Sequence, residues 1–580
     1  MTQPDPLMLI LSSPGEVRAQ DRIWGTGGWM PPEQREALDW LTLARLLGWR
    51  AEICERLPLP RDGQVPPHWI IVARDPDQID VDCDAALAAW LERHPLVVIG
   101  RAGAAGGGWA KLSGAAADGA GLAGRTLAWC GPGAGDRWLC RRRLDAQALS
   151  TSGNAEALVL LDGAPVVAAR SVGKGSVIAL GFHPSAARDA TGAVTSCIRH
   201  LLTQSALTPV AWFDLTATMV LRMDDPGGAQ NVFLREWTYP KLGISDWLAL
   251  GAELGRQQAR LSAGYVSGWV DDGDSRRGVL SVEGREVARV PGAVYPSPWV
   301  EYRDLLGHAP GQVHDYRGEY AGIQALRRGG LVEVELHGFT HMHPDTAAWA
   351  ASPDRYDEAQ WYRELGPQAS DAIARLAPED HPLARGVDAL AEYFRVLPTT
   401  LICPGEQWTN SALERALDLG LVLVGSYYLG IRDGDRFCWA LHVCSPGLHE
   451  VDPAWFDSGL PVVGYFHDND PMLKGLAWLR DCLDRWRQAG ARRFIDYREL
   501  AGAICRNLSI RDEGDAWRLV VDGQMAPDLV RPVPCLARFP GQQGAPVSLD
   551  ADYDGRKVEL RAQTVGTDTI RFELPVSAGI

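Results

Sequence analysis

Short apolar runs alternate with amphipathic stretches along the first 211 residues of the chain. The runs at residues 7–11, 69–73, 96–100, 157–161 and 177–181 have the length and composition of buried strands. Residues 34–47, 85–93 and 193–202 place their apolar side chains on one helical face. Strands that alternate with helices predict a parallel sheet covered by helices on both faces. The Gly- and Ala-rich residues 102–124 are expected to form a loop.

The same alternation continues in a second unit that begins near residue 212. Its predicted strands are residues 216–223, 261–269, 331–336, 399–402, 421–424 and 461–466. Its predicted helices are residues 247–260, 357–376, 410–419 and 472–488. Polar residues follow several of these strands directly. Residues 271–319 are rich in Gly, Pro and charged side chains, and we expect them to form a long insertion or a lid.

The pattern changes again from about residue 506. Residues 508–511, 517–521, 547–550, 557–561 and 569–574 alternate apolar and polar side chains, with turns such as Asp554-Gly555 between them. This alternation is typical of antiparallel strands that are buried on one face. We therefore predict three units: an α/β domain over residues 1–211, a second α/β unit over residues 212–505 and a small antiparallel β module over residues 506–580.

Composition and charge limit the partners that the protein can have. The net charge of −16 argues against nucleic acid and against an anionic membrane surface, because both require clustered Lys and Arg. The 11 cysteines include no Cys-x-x-Cys pair, so a disulfide framework or a zinc ribbon is not expected. No basic leader precedes residues 7–11, and no apolar run reaches the length of ~20 residues that spans a bilayer. We expect a cytoplasmic protein.

Four short motifs carry residue types that can hydrolyse an amide. They are Arg222-Met223-Asp224-Asp225-Pro226-Gly227, Glu335-Leu336-His337-Gly338-Phe339-Thr340-His341, Ile402-Cys403-Pro404-Gly405 and Gly464-Tyr465-Phe466-His467-Asp468. Two histidines four positions apart can bind one metal, and one carboxylate completes a site with positions left open for water and substrate. A second carboxylate can then accept a proton, and a later histidine can protonate the leaving amine. Alone, each motif is typical of a turn or a loop; together, each after an apolar strand, they favour a site.

The four motifs resemble those of the polysaccharide deacetylases of carbohydrate esterase family 4, the NodB-homology type, over about residues 213–505. The resemblance implies a distorted (β/α) barrel that removes N-acetyl groups from an amino sugar or its polymer. It also implies a role for each motif residue: Asp224 as general base, His467 as general acid, and Asp225, His337 and His341 as ligands of one divalent metal. Zinc is the expected metal, although cobalt, nickel and iron also suit two histidines and one aspartate.

The chain departs from this family at its third motif, which usually supplies an arginine that orients the base. Here the motif is Cys403-Pro404-Gly405, without arginine. Arg222 lies two residues before Asp224 on a predicted strand, shares its face and could orient it instead. The predicted substrate-binding residues are Pro404, Tyr465 and Asp468. We expect His343 near the site, and the alternative acids are His442 and His449.

The first unit has a resemblance of its own. The sequence Gly181-Phe182-His183-Pro184-Ser185 is similar to the Phe-His-Pro-Glu ending of class I glutamine amidotransferases, which implies a flavodoxin-like domain. Their cysteine nucleophile sits at a sharp turn after a strand, but residues 100–103 contain no cysteine, and Ser185 replaces the glutamate. We therefore expect no chemistry from this domain. A scaffold, a wall of the deacetylase cleft or a subunit interface of a homo-oligomer is its expected role.

Three other functions compete with deacetylation of a sugar. The first is a metal-dependent amidohydrolase that acts on a non-sugar substrate. The second is a carbohydrate-binding or assembly protein that has kept the fold without catalysis. The third, a glycosidase with paired carboxylates, is disfavoured because the two histidines would have no role in its chemistry.

Overall fold

The computed structural model describes residues 6–13, 32–61, 65–79, 81–184, 192–357, 359–514, 516–523, 526–541, 548–553 and 555–576. The chain is a mixed α/β protein built on two nine-stranded sheets, one in the first unit and one in the second. Four smaller sheets accompany them. No helix among the described residues combines the length and the apolar character needed to cross a membrane.

The first nine-stranded sheet has a parallel half and an antiparallel half. The parallel strands, in spatial order, are Ala51–Cys54, Met8–Ser12, Trp69–Ala73, Val97–Arg101 and Gly175–Leu180. The antiparallel strands follow as Ala164–Val172, Glu156–Leu161, Ala115–Trp129 and Arg137–Thr151. The helices of this unit are Pro32–Leu47, Val81–Arg93, Gly108–Ser113 and Gly192–Ser205, with the 3-10 turn Pro76–Gln78. The predicted parallel sheet is thus confirmed for the first half only.

The prediction of a loop at residues 102–124 is wrong. Helix Gly108–Ser113 and most of strand Ala115–Trp129 occupy that segment. Its Gly and Ala residues have low strand propensity, but the strand pairs along its length with Arg137–Thr151. Pairing with a distant segment therefore overrides the local composition, and no signal in residues 102–124 alone reports it.

The second nine-stranded sheet carries the candidate site. Its spatial order is Arg436–Cys444, Tyr428–Asp433, Leu423–Gly425, Thr400–Ile402, Val332–Leu336, Leu261–Tyr265, Thr218–Asp224 and Val462–His467, and Arg493–Ile495 also pairs with Thr218–Asp224. All but the first two of these strands are parallel. Among the described strands the ladder is an open path, although an isolated bridge joins Gly447 to Tyr465 near its two ends.

Helices surround this sheet. The α-helices are Gln230–Phe233, Ile244–Arg256, Tyr316–Arg328, Thr346–Ala351, Ser370–Ile373, Pro382–Phe394, Asn410–Asp418, Asn469–Lys474, Leu476–Gln488 and Tyr497–Ile504. The 3-10 turns are Arg235–Trp237, Ser297–Trp299, Ala359–Tyr362, Pro367–Ala369, Pro378–Asp380, Pro404–Glu406 and Pro453–Ser458. The prediction of a helix at residues 357–376 is wrong, because only 3-10 turns and the short helix Ser370–Ile373 form among the described residues of this segment. The helix expected at residues 472–488 is interrupted at Gly475, which has a φ of 82°.

The insertion at residues 271–319 is folded. Strands Gly278–Val282, Arg285–Glu286, Val300–Asp304 and Val313–Asp315 form an antiparallel sheet, and Gly268–Val270 pairs with Val294–Pro296. Aromatic side chains pack beneath them, including Phe233, Trp269 and Tyr302. Arg289 forms ion pairs with the buried carboxylates of Asp271 and Asp272. The insertion therefore has an apolar core and an ion-pair network of its own.

The last unit contains two small sheets. The first consists of Asn507–Asp512, Trp517–Asp522, Ser548–Tyr553 and Arg556–Arg561, and the second of Val210–Phe213, Val533–Arg538, Thr569–Leu574 and Gln563–Thr564. The module is not wholly antiparallel, because Trp517–Asp522 and Ser548–Tyr553 pair in parallel. Strand Val210–Phe213 joins the first two units in sequence and pairs with the last one in space.

One apolar core passes through all three units. The indole N–H of Trp49 donates to the backbone oxygen of Ala211 at 2.7 Å. Gly48 has a φ of +82°, and a Cβ there would lie 2.5 Å from the ring of Phe213 and 3.2 Å from Leu508. Backbone of the first unit thus packs directly on the other two, which requires glycine at this position. None of the 11 cysteines, all of which lie among the described residues, forms a disulfide.

Candidate metal centre

The motif residues meet at one edge of the second sheet. Asp224 and His467 are the last residues of neighbouring parallel strands and are paired in register. His337 and Cys403 follow two further parallel strands, and the carboxyl ends of parallel strands share one edge. A cavity of about 340 Å³ opens at this edge. Its lining residues are Asp224, Asp225, Trp237, His337, His341, Tyr362, Arg363, Cys403, Gly405, Glu406, Gln407, Tyr427, Tyr465 and His467.

Asp225, His337 and His341 form a buried cluster that can hold a metal ion. One ligand atom from each residue lies within 4.8 Å of the others, and Nε2 of both histidines is 3.4 Å from Oδ1 of Asp225. Within the described part of the chain, Oδ2 of Asp225, Nε2 of His337 and Nδ1 of His341 are buried without a hydrogen-bond partner. Buried polar atoms without partners are costly, and a shared cation would satisfy those of Asp225 and His337.

The hydrogen bond of His337 and the burial of His341 suit metal binding. The ring of His337 pairs through Nδ1 with the backbone oxygen of Ile402 at 3.0 Å. A proton on Nδ1 leaves the lone pair of Nε2 facing Asp225, which is the usual arrangement for a metal-bound histidine. Burial and the neighbouring His337 lower the pKa of His341 to about 4, which keeps that imidazole neutral. Metal ligation requires the neutral form.

Two of the three candidate ligands have left-handed backbone. Asp225 has a φ of 80° and His341 a φ of 59°, a region that residues other than glycine rarely adopt. Gly227 also has a positive φ, and a Cβ there would lie 2.1 Å from the backbone oxygen of Val266. The tight turn after strand Thr218–Asp224 thus aims Asp225 into the cluster, and the strained residues coincide with the proposed ligands.

A buried carboxylate fixes the loop that carries both histidines. Glu364 accepts the backbone N–H groups of Phe339 at 2.7 Å and of Thr340 at 2.9 Å, and the Thr340 hydroxyl at 2.8 Å. Gly338 allows this approach, because a Cβ there would lie 2.1 Å from Oε2 of Glu364. Glu364 lies in the segment expected to be helical, and the sequence offered no reason to single it out.

Arg222 contacts the predicted base directly. Its Nε and Nη2 donate to the two carboxylate oxygens of Asp224 at 2.8 Å and 2.5 Å. Nη2 also donates to Glu406 at 2.6 Å. Burial raises the pKa of Asp224, but the charge and hydrogen bonds of Arg222, together with His337 and His467, outweigh burial, and the pKa lies below its usual value. The sequence analysis missed Glu406. Its position directly after Cys403-Pro404-Gly405 is the one local feature that could have indicated its contact with Arg222.

Asp468 lies behind the metal cluster rather than in the cavity. It is 1% exposed, accepts from Tyr239 at 2.5 Å and forms an ion pair with Lys241. Lys241 is also 3.3 Å from Glu319, which accepts the backbone N–H of Gly227 at 2.7 Å. Both oxygens of Asp468 are therefore engaged with protein groups. Asp468 is therefore not expected to bind substrate. Together with Lys241 and Glu319 it supports the turn after Asp225.

The other predicted site residues occupy different places. Tyr465 and His467 line the cavity. Pro404 is buried behind the histidine loop, where a Cβ on Gly338 would lie 2.7 Å from its ring, so it is not expected to contact substrate either. His442 contacts Thr195 of the first unit at 3.3 Å and is not part of the cavity wall. His449 is exposed and is also not part of the wall, so neither alternative acid lines the cavity.

His343 lies beside the cavity without lining it. Its ring packs at 76° against Trp361, with 5.1 Å between ring centres, and its Nδ1 accepts the backbone N–H of Asp345 at 3.2 Å. The sequence analysis also missed five residues of the wall. These are Trp237, Tyr362, Arg363, Gln407 and Tyr427. Tyr362 and Arg363 fall in the segment that was expected to be helical.

The turn of the first unit that was compared with amidotransferases holds an ion pair. Arg101 ends strand Val97–Arg101, and its Nε lies 3.1 Å from Glu36. The ring of His183 lies 3.2 Å from the same carboxylate oxygen. Ser185 lies outside the described residues. Cys83 belongs to a helix and is not at this turn. The absence of chemistry in this unit stays a prediction.

Comparisons with known proteins found partial structural likeness only. No family model matches the chain, and no curated protein matches it by sequence. A candidate polysaccharide deacetylase from Mycobacterium smegmatis is 12% identical over 50% of this chain and 89% of its own, with a TM-score of 0.27. A β-galactosidase from Rahnella sp. R3 is 12% identical over 32% of this chain and 31% of its own, with a TM-score of 0.24. A β-galactosidase from Halorubrum lacusprofundi is 14% identical over 35% of this chain and 30% of its own, with a TM-score of 0.25. This chain thus spans under a third of either β-galactosidase, and likeness at this level establishes no family.

Proposed function

We propose that the protein is a metal-dependent deacetylase that removes N-acetyl groups from an amino sugar or its polymer. One observation carries the proposal: the buried cluster of Asp225, His337 and His341 opens on a cavity that also holds the carboxylate of Asp224 and the ring of His467. Three protein ligands with a carboxylate and an imidazole beside them are the parts that amide hydrolysis requires. A distorted (β/α) barrel over residues 212–505 is the architecture proposed for this unit.

Asp225, His337 and His341 would hold one divalent ion, and zinc fits two nitrogens and one carboxylate oxygen best. Bound there, such an ion would lower the pKa of a water molecule to about 7 and polarise the acyl oxygen. Gln230 donates to Oδ1 of Asp225 at 2.8 Å, and Ile402 accepts from His337. These contacts orient the ligand side chains before the ion arrives.

Asp224 is the proposed general base. Its carboxylate is held by Arg222 through two hydrogen bonds, which fixes its orientation and keeps it ionised. An ionised carboxylate at the cavity wall can accept the proton of the attacking water. The bond to Arg222 then also limits how far the carboxylate can turn away from that water.

His467 is the proposed general acid. It lies on the strand next to Asp224 and lines the same cavity. Its ring packs at 79° to Trp237, with 5.8 Å between ring centres, which restricts its orientation. A protonated imidazole there can donate its proton to the amine as the acyl group leaves. The aromatic walls, including Tyr362, Tyr427 and Tyr465, offer flat faces that suit sugar rings.

The decisive experiment combines metal analysis with acetate release. Purified protein loaded with zinc is incubated with N-acetylated oligosaccharides and with non-sugar N-acetyl amides. We expect about one ion per chain and acetate release from the sugars. Asp224→Asn should keep the metal and lose most activity, and His467→Ala should keep it and slow turnover by ~10²–10⁴.

Each rival function gives a different result in the same experiment. Release from amides but not from sugars would indicate a non-sugar amidohydrolase. Oligosaccharide binding without turnover and without metal would indicate a binding protein. The cytoplasmic location, the carbohydrate partner and a homo-oligomer formed through the first unit stay predictions.

A further inference from the structure

Arg363 is a charged residue on the cavity wall that the proposed reaction does not use. Its guanidinium carbon lies 5.6 Å from the centre of the Tyr362 ring. The Tyr362 ring in turn stacks on His341, with 5.6 Å between ring centres and 13° between planes. One aromatic ring therefore separates Arg363 from a candidate metal ligand. A group that contacts Arg363 belongs to a neighbouring part of the substrate and not to the acetamide that reacts.

The positive charge of Arg363 has no acidic partner among the residues that the structure describes. Its Nε is buried and makes no hydrogen bond within the same residues. Of the carboxylates on the wall, Asp224 and Glu406 are bound to Arg222, and Asp225 belongs to the candidate metal cluster. A half-buried guanidinium without a counter-charge is unfavourable, so an anion that enters the cavity gains from pairing with it.

The position of Arg363 is fixed before any substrate arrives. Gly405 has a φ of +61°, and a Cβ there would lie 2.7 Å from Cγ of Arg363 and 2.8 Å from the Tyr362 ring. The backbone of this loop therefore packs directly on the stem of the arginine. Binding to a side chain that is already ordered costs less conformational entropy. This contact distinguishes Arg363 from a mobile surface arginine.

We infer that Arg363 forms a subsite for a carboxylate carried by the sugar residue next to the one that is deacetylated. The inference rests on the proposed function and names its substrate class: an acidic, N-acetylated oligosaccharide. A planar guanidinium matches a carboxylate through two parallel hydrogen bonds, and one arginine balances one negative charge. The Tyr427 hydroxyl and the Tyr362 ring flank this subsite and can contact the sugar that bears the carboxylate.

The test uses one oligosaccharide in two forms. A hyaluronan tetrasaccharide alternates N-acetylglucosamine with glucuronate, and reduction of its carboxylates to alcohols gives a neutral partner with the same linkages. For the zinc-loaded protein we expect kcat/KM for acetate release to be about 10-fold or more higher for the acidic form. Arg363→Gln should remove most of this difference and change the neutral form by less than about threefold. Arg363→Lys should retain part of it. Equal preference in the wild type and Arg363→Gln would overturn the inference.

A binding measurement separates this inference from the proposed reaction. Titration calorimetry of zinc-loaded Asp224→Asn compares the two forms without turnover, and the double variant with Arg363→Gln repeats the comparison. Tighter binding of the acidic form that disappears in the double variant supports the subsite, even if no acetate is released. Equal binding of both forms, or no binding of either, overturns it. Arg276→Gln is the matched control, because it removes the same charge from a side chain that is 84% exposed.

Discussion

Arg222 holds Asp224 with two hydrogen bonds although the two residues are only two positions apart on one strand. Alternate residues of a strand share a face, so the pair forms within a single element of the fold. Glu406 approaches the same guanidinium from a loop 184 positions away. In this chain the strand therefore supplies the arginine, and the loop supplies a carboxylate that binds it.

Replacing Arg222 by lysine should slow the reaction without releasing the metal. Lysine keeps the charge but cannot donate two parallel bonds to Asp224, so the carboxylate loses its fixed orientation. We expect kcat to fall about 10- to 100-fold, with a small change in KM and full metal content. Glu406→Gln keeps the hydrogen bonds between Arg222 and Asp224, so its kcat should fall less than that of Arg222→Lys. Steady-state kinetics with metal analysis would contradict this role if Arg222→Lys had the kcat of the wild type.

The metal site should depend on both histidines and not on their neighbour. His337→Ala or His341→Ala leaves two protein ligands, which hold a catalytic ion poorly, so metal occupancy should fall sharply. His343→Ala is the matched control, because His343 lies two positions beyond His341 and packs on Trp361 outside the cavity. Metal content after dialysis measures the effect. Full occupancy in both variants would exclude this cluster as the site.

Glu364 should matter for the metal although it lies outside the ligand set. Glutamine has one acceptor oxygen and would turn its NH2 group towards N–H donors of the histidine loop, leaving at least one of them unpaired. We expect Glu364→Gln to weaken metal affinity about 10-fold or more and to lower the free energy of unfolding by about 1–3 kcal/mol. Glu286→Gln, at an exposed position, serves as the control. An unchanged metal affinity would show that the loop needs no such anchor.

The sequence predicted the strands and motif residues because both leave local signals. Buried parallel strands appear as apolar runs such as Trp69–Ala73, and the motif residues follow such runs directly. Lys241 left no such signal, because its partner Asp468 is 227 positions away and the contact exists only in the fold. Arg363 was missed for a different reason. Its segment has helix-compatible side chains, but Gly366 and Pro367 break it into turns, and that irregular backbone brings the arginine to the cavity.

The last prediction concerns stability in acid. His381 is 8% exposed, and its Nδ1 caps helix Pro382–Phe394 by accepting the backbone N–H of Leu383 at 3.1 Å. Burial, with a smaller effect of Arg415, lowers the pKa of His381 from 6.5 to about 4. A protonated ring cannot accept this bond.

The sign of the pH effect follows from that shift. Because the folded pKa lies below the unfolded one, the unfolded chain binds a proton first, and the free energy of unfolding falls as pH drops from 6.5 towards 4. Asparagine caps a helix without titrating. The difference in unfolding free energy between His381→Asn and the wild type should therefore move in favour of the variant by roughly 2 kcal/mol between pH 7 and pH 4.5. Urea unfolding at both pH values measures this difference. The contributions of other buried histidines, such as His68, cancel because both proteins share them. A difference that is constant with pH would mean that His381 takes up its proton in the folded state as readily as in the unfolded chain.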